Sequence, residues 1–290
     1  MNYSDLYRSG TQKLSAAGIP EAALDARLLL EFITGSDANT VYTHPEKAVD
    51  EKDATAYEEL VAKRAEHIPL SQLTGTASFM GIDLTVNDKV LIPRQDSECL
   101  VEEAMRYTLD GSDILDLCTG SGCLLLSLMH YKNNCRGVGV DISGEALEVA
   151  DINAKELEAA GGLNGGTVRF LKGDLYDALP QEEKRFDVII SNPPYIRTGE
   201  IDTLMPEVRD HEPQIALDGG RDGLDFYRRI AEGAPRHLVK GGRIFFEIGY
   251  DQAEDVTRIL DGAGFTDIET VRDYAGNDRV IAAVFAPKRS

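Results

Sequence analysis

The residues best suited to chemistry form one tetrapeptide, Asn192-Pro193-Pro194-Tyr195, which directly follows a short apolar run over residues 186–191. The run predicts a buried parallel strand. The two prolines must end that strand, because neither can donate a hydrogen bond to a sheet. Open α/β sheets bind ligands at the carboxyl ends of their strands. We therefore expect a stiff loop at the ligand-binding edge of a sheet.

Each part of this loop offers a group that can hold a planar NH2 substrate. The Asn192 carboxamide and a carbonyl of Pro193 or Pro194 can each accept one N–H, which orients the nitrogen lone pair. Tyr195 can stack on the planar group. The loop has no side-chain nucleophile and no strong general base. We predict Asn192, Pro193, Pro194 and Tyr195 as the catalytic and substrate-binding residues, with a plain Pro-Pro turn as the alternative.

A second motif indicates a nucleoside cofactor. Residues 114–122 form a predicted strand that runs into Gly120-Ser121-Gly122 and opens a helix, and glycine suits a sharp turn whose backbone approaches a ligand. Asp141 follows the next strand, where a carboxylate can accept both ribose hydroxyls of an adenosine. Asp174 and Leu175 follow the third strand. There Leu175 can pack on the adenine ring, and Asp174 or a backbone group can reach the edge of the ring.

NAD is the natural competitor for such a site. Its Gly-x-Gly-x-x-Gly signature lacks the third glycine here, because position 125 is Leu, and that glycine lets the helix pack beside a pyrophosphate. Asp116, just before the turn, would repel a pyrophosphate but suits the ammonium and sulfonium groups of S-adenosylmethionine. With Asp141 and Asn192 at successive strand ends, we predict S-adenosylmethionine as cofactor and S-adenosyl-L-homocysteine as its product. An isolated glycine-rich turn is the structural alternative.

The elements around these motifs divide the chain into three predicted domains. Residues 1–70 read as a small helical bundle without a catalytic cluster, and a bundle of this kind is a candidate for substrate recognition. Residues 71–92 alternate in polarity and contain turn signals, which predicts a β-hairpin linker. Residues 93–290 alternate strands and helices and form the predicted methyltransferase domain. The bundle helices are predicted over 3–17, 21–32 and 50–66.

The third domain is predicted to be an α/β sheet with helices on both faces. Only residues 273–278 separate the last two strands, which leaves no room for a helix, so the last strand must return antiparallel. A seven-stranded, mostly parallel sheet with a reversed last strand matches class I methyltransferases. The predicted strands are 113–117, 137–141, 168–172, 186–191, 243–248, 267–271 and 279–285, and the predicted helices are 122–131, 144–159, 224–238 and 252–261.

Composition and charge narrow the classes of partner that this chain could bind. The chain has 290 residues and a net charge of -20, whereas proteins that bind duplex nucleic acid usually carry a basic stripe. The sequence contains neither a membrane-length apolar run nor a signal-peptide pattern, so we expect a cytoplasmic protein without nucleic-acid or membrane contact, and a monomer. The four cysteines form no Cys-x-x-Cys pair and have no neighbouring His cluster, so we predict reduced thiols and no metal.

The chain resembles the release factor glutamine methyltransferases, the HemK/PrmC family, over nearly its whole length. The two principal motifs of that family match residues 116–123 and 192–195. Ile92-Pro93-Arg94 also matches, although the family usually continues with Pro-Glu-Thr-Glu where this chain has Gln95-Asp96-Ser97-Glu98. Further matching segments are Pro69–Gly75, Pro206-Glu207-Val208, Glu212-Pro213, Ala216-Leu217, Gly219-Gly220, Asp222-Gly223-Leu224, Glu247-Ile248-Gly249, Gln252 and Asp278-Arg279-Val280.

This resemblance implies N5-methylation of the glutamine in the Gly-Gly-Gln motif of peptide chain release factors, which would be the protein partner. It implies cofactor contacts at Cys118, Thr119, Gly120, Ser121, Gly122, Asp141, Leu175 and Asn192, and substrate contacts at residues 192–195. The N-terminal bundle would dock the release factor. A release-factor domain that enters ribosomal RNA should have a basic surface, which an acidic enzyme complements.

Two other functions remain open on the sequence. A nucleic-acid N6-adenine methyltransferase shares the Asn-Pro-Pro-Tyr motif but would have to flip a base and hold a phosphate backbone, for which the chain has no basic segment. A non-catalytic S-adenosylmethionine-binding scaffold would not need the intact loop at residues 192–195. The roles of Arg94 and Glu98 are also open, since their segment could be an ordinary loop and helix cap, or Arg94 and its neighbours could form one wall of the active-site cleft.

Overall fold

The computed structural model describes residues 1–181 and 185–286, and the chain forms two compact units. The first unit contains residues 1–76 and 205–211. The second contains residues 77–204 and the described residues from 212 onward. Within the described residues, none of the helices combines the length and the apolar character needed to cross a membrane.

The helices and strands are numbered in chain order. The helices are α1 (Tyr3–Ala16), α2 (Ala22–Thr34), α3 (Ala38–Thr43), α4 (Glu51–Ala65), α5 (Leu70–Thr74), α6 (Glu98–Tyr107), α7 (Cys123–His130), α8 (Gly144–Ala159), α9 (Pro206–Arg209), α10 (Asp225–His237) and α11 (Ala253–Gly262). The strands are β1 (Thr76–Phe79), β2 (Ile82–Thr85), β3 (Asp113–Leu117), β4 (Arg136–Asp141), β5 (Thr167–Lys172), β6 (Phe186–Ser191), β7 (Leu238–Glu247), β8 (Phe265–Arg272) and β9 (Asp278–Phe285).

The first unit is the predicted helical bundle, built on α1, α2 and α4. The Asn2 side chain accepts a hydrogen bond from the Asp5 backbone at 2.9 Å and caps α1. Gly35, with φ of 63°, ends α2 in the left-handed region. The three helices share one buried apolar core that includes Leu6, Leu29 and Tyr57. The three predicted bundle helices are thus confirmed.

Three short helices of this unit were not predicted, namely α3, α5 and α9. Helix α3 is too short for a clear periodic pattern, and it depends on Asp37, whose side chain accepts a hydrogen bond from the Thr40 backbone at 2.8 Å. Helix α5 occupies part of the segment predicted as a hairpin linker. Pro69 precedes it and Gly75, with φ of 75°, ends it. The hairpin itself exists, but its strands are only β1 and β2.

A buried arginine connects α4 to a segment far along the chain. Arg64 is 4% exposed and donates hydrogen bonds to Asp25 at 2.7 Å and to Glu207 in α9 at 2.5 Å. Gln72 also donates to the His211 carbonyl at 2.7 Å. A buried charge is stable only when paired, so these contacts hold residues 205–211 on the bundle core.

The second unit is built on a seven-stranded sheet of order β5-β4-β3-β6-β7-β9-β8. Strand β9 runs antiparallel to both β7 and β8, which confirms the predicted reversal of the last strand. Strand β7 begins five residues earlier than predicted. The pairing of β6 with β7 shifts register between Phe186 and Val188, and the strand includes the glycine pair Gly241-Gly242, which lay outside the predicted bounds.

Helices cover both faces of this sheet. Ile189 of β6 packs in one core with residues of α10 and α11, such as Tyr227 and Leu260. Val188 and Ile190 face the opposite core, which contains residues of α6 and α7. This alternation, together with burial of the whole strand, fits the continuous apolar run from which β6 was predicted.

The register of the parallel strands places the predicted site residues at one edge of the sheet. Leu117 at the end of β3 pairs with Val140 of β4 and with Ser191 of β6, and Ser191 pairs with Phe246 of β7. The connections after β3 and β6 therefore emerge side by side. The strand order also reverses direction between these two strands, which is where open α/β sheets form ligand crevices.

We expect Asp25→Ala to destabilise the first unit strongly, because it leaves the buried Arg64 guanidinium without its closest partner in α2. The free energy of unfolding, measured by urea denaturation, should fall by about 3–5 kcal/mol. The control is Asp5→Ala, whose carboxylate is half exposed beside Arg8 and should contribute about 1 kcal/mol or less. Equal effects of the two variants would contradict the assigned role of Asp25.

Candidate active site

A cavity of about 180 Å³ lies at the carboxyl edge of the sheet in the second unit. Segments that follow four neighbouring strands line it, which brings together most of the predicted site residues. These are Cys118, Thr119, Gly120 and Ser121 after β3, Asp141 at the end of β4, Asp174 and Leu175 after β5, and Asn192 and Pro194 after β6.

Three predicted site residues lie behind the cavity wall. Gly122 caps the start of α7 with φ of 80°, and an added Cβ would lie 3.2 Å from Leu126. Pro193 is buried. The Tyr195 ring packs against the core of the α10 face, and its hydroxyl donates to Glu247 at 3.3 Å. In this structure Tyr195 therefore supports the loop and does not face the cavity as a stacking surface.

Backbone contacts hold the loop after β6 in place. The Ile196 N–H donates to the Leu217 carbonyl at 3.0 Å, and the Gly219 N–H donates to the Ile196 carbonyl at 2.8 Å. Gln252 adds a side-chain hydrogen bond to the Tyr195 carbonyl at 3.0 Å. Gly219 is required here, because an added Cβ would lie 2.7 Å from the Pro194 carbonyl oxygen. The loop is thus rigid, as the two prolines predicted.

The Asp141 carboxylate connects the ends of β3 and β4. Its two oxygens accept hydrogen bonds from the backbone N–H groups of Gly120 and Ser143, each at 2.9 Å. Burial raises the pKa of Asp141, and these backbone bonds oppose the rise. A carboxylate can accept about four hydrogen bonds, so Asp141 keeps acceptor sites for a diol on a ligand.

Two cavity residues adopt backbone conformations that glycine normally occupies. Cys118 has φ of 60° and Leu175 has φ of 51°, both in the left-handed region. Such conformations cost on the order of 1–3 kcal/mol each and occur most often at ligand sites. Burial also raises the pKa of the Cys118 thiol well above its usual value, so this cysteine is not a thiolate nucleophile.

Asp116 is fully buried beneath the glycine turn and does not line the cavity. Its Oδ2 accepts from the Thr119 hydroxyl at 2.6 Å, while Oδ1 is buried and makes no regular hydrogen bond within the described residues. Burial raises the pKa of Asp116 to about 7, and the charge of Asp141 adds to the rise. Asp116, which we expected to suit the positive groups of a cofactor, therefore does not reach the cavity itself.

The sequence did not decide the role of Arg94, and the structure places this residue in the cavity wall. Its Nη2 donates to both carboxylate oxygens of Glu212 at 2.7 Å, and the Glu212 side chain is fully buried. Pro213, Ile215 and Ala216 also line the cavity. The ion pair therefore ties two walls of the cavity together. Only the resemblance at Glu212-Pro213 marked this segment in the sequence.

Asp174 has a different partner from the one predicted. Its Oδ2 accepts from Arg229 of α10 at 2.8 Å, and both side chains lie at the cavity. The Asp174 carboxylate is thus engaged by a cation, which leaves Leu175 and the backbone to contact an adenine ring. Further lining residues that the sequence did not identify are Ile142, Ser143, Ala146, Phe226 and Arg229.

The donor set of the cavity fits an adenosine cofactor with a positive charge. Asp141 offers acceptors for ribose hydroxyls, and the buried Ser121 hydroxyl at the cavity makes no regular hydrogen bond within the described residues. Unpaired groups of this kind at a cavity are explained by a ligand. Among the described residues, no group of three or more His, Cys, Asp or Glu side chains could hold a metal ion.

Asp116→Asn should stabilise the protein at high pH when no cofactor is added. Because the pKa of Asp116 is raised to about 7, the folded chain binds this proton more tightly than the unfolded chain. The group therefore stabilises the fold at low pH, and the contribution is lost as the pH rises through about 7. By urea denaturation we expect the variant to gain on the order of 2–4 kcal/mol at about pH 8 and little at about pH 5.

The control for this measurement is Asp88→Asn, because the Asp88 side chain is mostly exposed. Its effect on the free energy of unfolding should be small at both pH values. An Asp116→Asn variant that is less stable than the wild type at about pH 8 would contradict this prediction, because it would show that the ionised Asp116 carboxylate does not destabilise the fold at that pH.

Comparison with known proteins gives matches over both units. Residues 5–75 match the family model of the PrmC N-terminal domain, and residues 109–246 match that of a methyltransferase domain. Among solved structures, a methyltransferase from Pyrococcus furiosus superimposes with a TM-score of 0.51 at 20% identity, over 72% of this chain and 91% of that chain. This likeness shows the class of fold alone.

Relatives at higher identity cover nearly the whole chain. The chain is 40% identical to the release factor glutamine methyltransferase of Geobacter sulfurreducens, over 92% of this chain and 91% of that protein. It is 38% identical to the release factor glutamine methyltransferase of Caulobacter vibrioides, over 98% of this chain and 96% of that protein. With its motifs, its sheet and its cavity, the chain belongs to the family of release factor glutamine methyltransferases.

Proposed function

We propose that this chain transfers a methyl group from S-adenosylmethionine to the side-chain amide nitrogen, N5, of the glutamine in the Gly-Gly-Gln motif of peptide chain release factors. The observation that carries the proposal is the position of Asn192. It lines the same cavity as Asp141 and the glycine turn, in a chain of the release factor glutamine methyltransferase family. An amide acceptor and a nucleoside site thus lie within one cavity.

When bound, S-adenosylmethionine supplies an activated methyl group on a sulfonium. Asp141 would accept hydrogen bonds from its ribose hydroxyls, and Leu175 would pack on its adenine ring. The backbone of Cys118, Thr119, Gly120 and Ser121 would approach its amino-acid portion, in reach of the unpartnered Ser121 hydroxyl. The Asp116 carboxylate beneath the turn would favour the positive charge of the ligand.

The loop after β6 would bind and orient the substrate amide. Asn192 Oδ1 and a proline carbonyl would each accept one N–H of the glutamine side chain, which directs the delocalised nitrogen lone pair out of the amide plane. These hydrogen bonds strengthen as positive charge develops on nitrogen, so they favour the transition state over the ground state. The methylated nitrogen is acidic enough to lose its proton to water, so a dedicated base is not needed.

The charge of the chain supports a basic protein partner. With a net charge of -20, the chain complements a release-factor domain that carries basic surface for ribosomal RNA. The helical bundle of residues 1–70 would contribute to docking. Because release factors act on ribosomes, the activity belongs in the cytoplasm, and we propose that a monomer carries it out without contacting nucleic acid or membrane.

The first test is methyl transfer from labelled S-adenosylmethionine to three substrates: a release factor, the same release factor with the Gly-Gly-Gln glutamine replaced by alanine, and duplex DNA. We expect label on the first substrate only, and a rate that falls steeply with salt because the partners have opposite charge. Label on DNA would support the adenine methyltransferase instead. Cofactor binding without transfer to any substrate would support the scaffold.

The second test is Asn192→Ala, which removes one preorganised hydrogen-bond acceptor for the amide. We expect kcat to fall by about 10²–10³, or about 2.7–4 kcal/mol of barrier, while cofactor affinity changes much less. Single-turnover kinetics and calorimetric titration of the cofactor separate the two effects. Asn133→Ala is the matched control, because Asn133 is exposed and bonds Asp110 away from the cavity. Near-normal turnover of Asn192→Ala would show that the acceptor is misassigned.

A further inference from the structure

Glu247 is a buried carboxyl group directly behind the substrate loop. It is the last residue of β7, and the pairing of Ser191 with Phe246 places Asn192 and Glu247 at the ends of adjacent strands. Glu247 is 3% exposed and does not line the cavity. Neither cofactor binding nor the amide clamp, as derived above, uses this residue. A buried acid at this position needs a reason, because burial of a carboxylate is costly.

Polar and charged groups around Glu247 act against the effect of its burial. Tyr195 donates to its Oε1 at 3.3 Å, while Oε2 is buried and makes no regular hydrogen bond within the described chain. Burial raises the pKa of Glu247, whereas the nearby Ser97 hydroxyl, the Arg279 guanidinium and the Tyr195 hydroxyl oppose the rise. When it is ionised, the Glu247 carboxylate has an acceptor oxygen to spare for the Ser97 hydroxyl, which is among the groups that interact with it.

Ser97 connects this carboxylate to the loop. It is 2% exposed and contributes to the cavity wall near Arg94. Its Oγ accepts a hydrogen bond from the Asn192 side-chain Nδ2 at 3.4 Å. A serine hydroxyl has one proton, and an ionised carboxylate can only accept. If the Ser97 proton points to Glu247, Ser97 can only accept from Asn192.

We infer that Ser97 and Glu247 are positioning residues that fix which way the Asn192 carboxamide faces. The Ser97 hydroxyl donates its hydrogen bond to Glu247, Ser97 Oγ accepts from Asn192 Nδ2, and Asn192 Oδ1 is left free for the substrate amide. Tyr195 keeps Glu247 in place through its own hydrogen bond. This inference rests on the proposed function for its catalytic consequence, but the orientation itself is a property of the free protein.

The orientation of the Asn192 carboxamide matters because its oxygen accepts hydrogen bonds, whereas its NH2 group donates them. In the orientation we infer, an acceptor oxygen meets an N–H of the substrate. In the reversed orientation the Asn192 NH2 group would meet the NH2 group of the substrate, and two donors cannot form a hydrogen bond. Without Glu247 as an acceptor, Ser97 could instead donate to Asn192 Oδ1 and stabilise the reversed orientation.

The kinetic test uses variants that change the direction of this network while keeping its shape. Ser97→Ala removes the hydroxyl, and Glu247→Gln replaces a pure acceptor with a group that can also donate. We expect each to lower kcat on a release factor by roughly 10–100-fold, with the KM for the release factor and the cofactor Kd changed less than about threefold. Ser97→Thr keeps the hydroxyl and should recover most of the kcat lost in Ser97→Ala.

Two matched controls test whether loss of a buried polar group alone has the same effect. Ser127→Ala removes another buried hydroxyl, which makes no regular hydrogen bond within the described residues, and Glu103→Gln alters another buried carboxylate. Both residues lie away from the cavity. We expect both controls to keep the wild-type kcat. A Ser97→Ala kcat within about threefold of the wild type, or equal losses in the controls and the variants, would overturn the inference.

A second readout needs no substrate and separates this inference from the proposed function. In protein with ¹⁵N-labelled asparagine, the Asn192 side-chain NH2 signal is assigned by its absence in Asn192→Ala. We expect slow hydrogen exchange at this NH2 group in the wild type and in Ser97→Thr, and fast exchange in Ser97→Ala and Glu247→Gln. Failure of the wild type to methylate release factors would contradict the proposed function. Unchanged exchange in the variants would instead contradict the orientation inferred here.

Discussion

The parallel pairing of β3 with β6 is the constraint on which the site depends. Leu117 and Ser191 lie side by side at the ends of these strands, and the Ser191 hydroxyl donates to the Leu117 carbonyl at 2.6 Å. The glycine turn and the substrate loop consequently emerge next to each other, although more than seventy residues separate them in the sequence. The proposed nucleoside site and the proposed amide clamp can share one cavity only because these two strands are neighbours.

Several carboxylates are buried at or behind the cavity wall, and their burial lowers the free energy of unfolding. Asp116 and Glu247 are buried, and burial raises the pKa of both. Each also has an oxygen that makes no regular hydrogen bond in the described part of the chain. Asp141 is also buried in part, but backbone N–H groups satisfy it. Buried acids of this kind destabilise an empty protein and favour a cationic or hydrogen-bonding ligand, which is the usual exchange of stability for function at a site.

Local patterns were sufficient for most of the fold. The apolar run of β6, the glycine turn before α7 and the short connection before β9 each predicted an element that the structure confirms. The predictions failed for elements whose bounds depend on a single side-chain contact or on the pairing of two strands. Helix α3 depends on one side-chain cap at Asp37, and the early start of β7 depends on a register shift opposite Phe186.

The sequence by itself determined the order of strands and helices, the loop at Asn192, the glycine turn and the acid at Asp141, because each of these has a signal within a few residues. Only the tertiary structure decided which side chains meet: Arg94 with Glu212, Asp174 with Arg229, Arg64 with Glu207, and Ser97 with Asn192. The partners in these pairs are 55 to 143 residues apart. Polar side chains that pair over such separations leave no local periodicity, so their contacts exist only once the sheet has set the register of its strands.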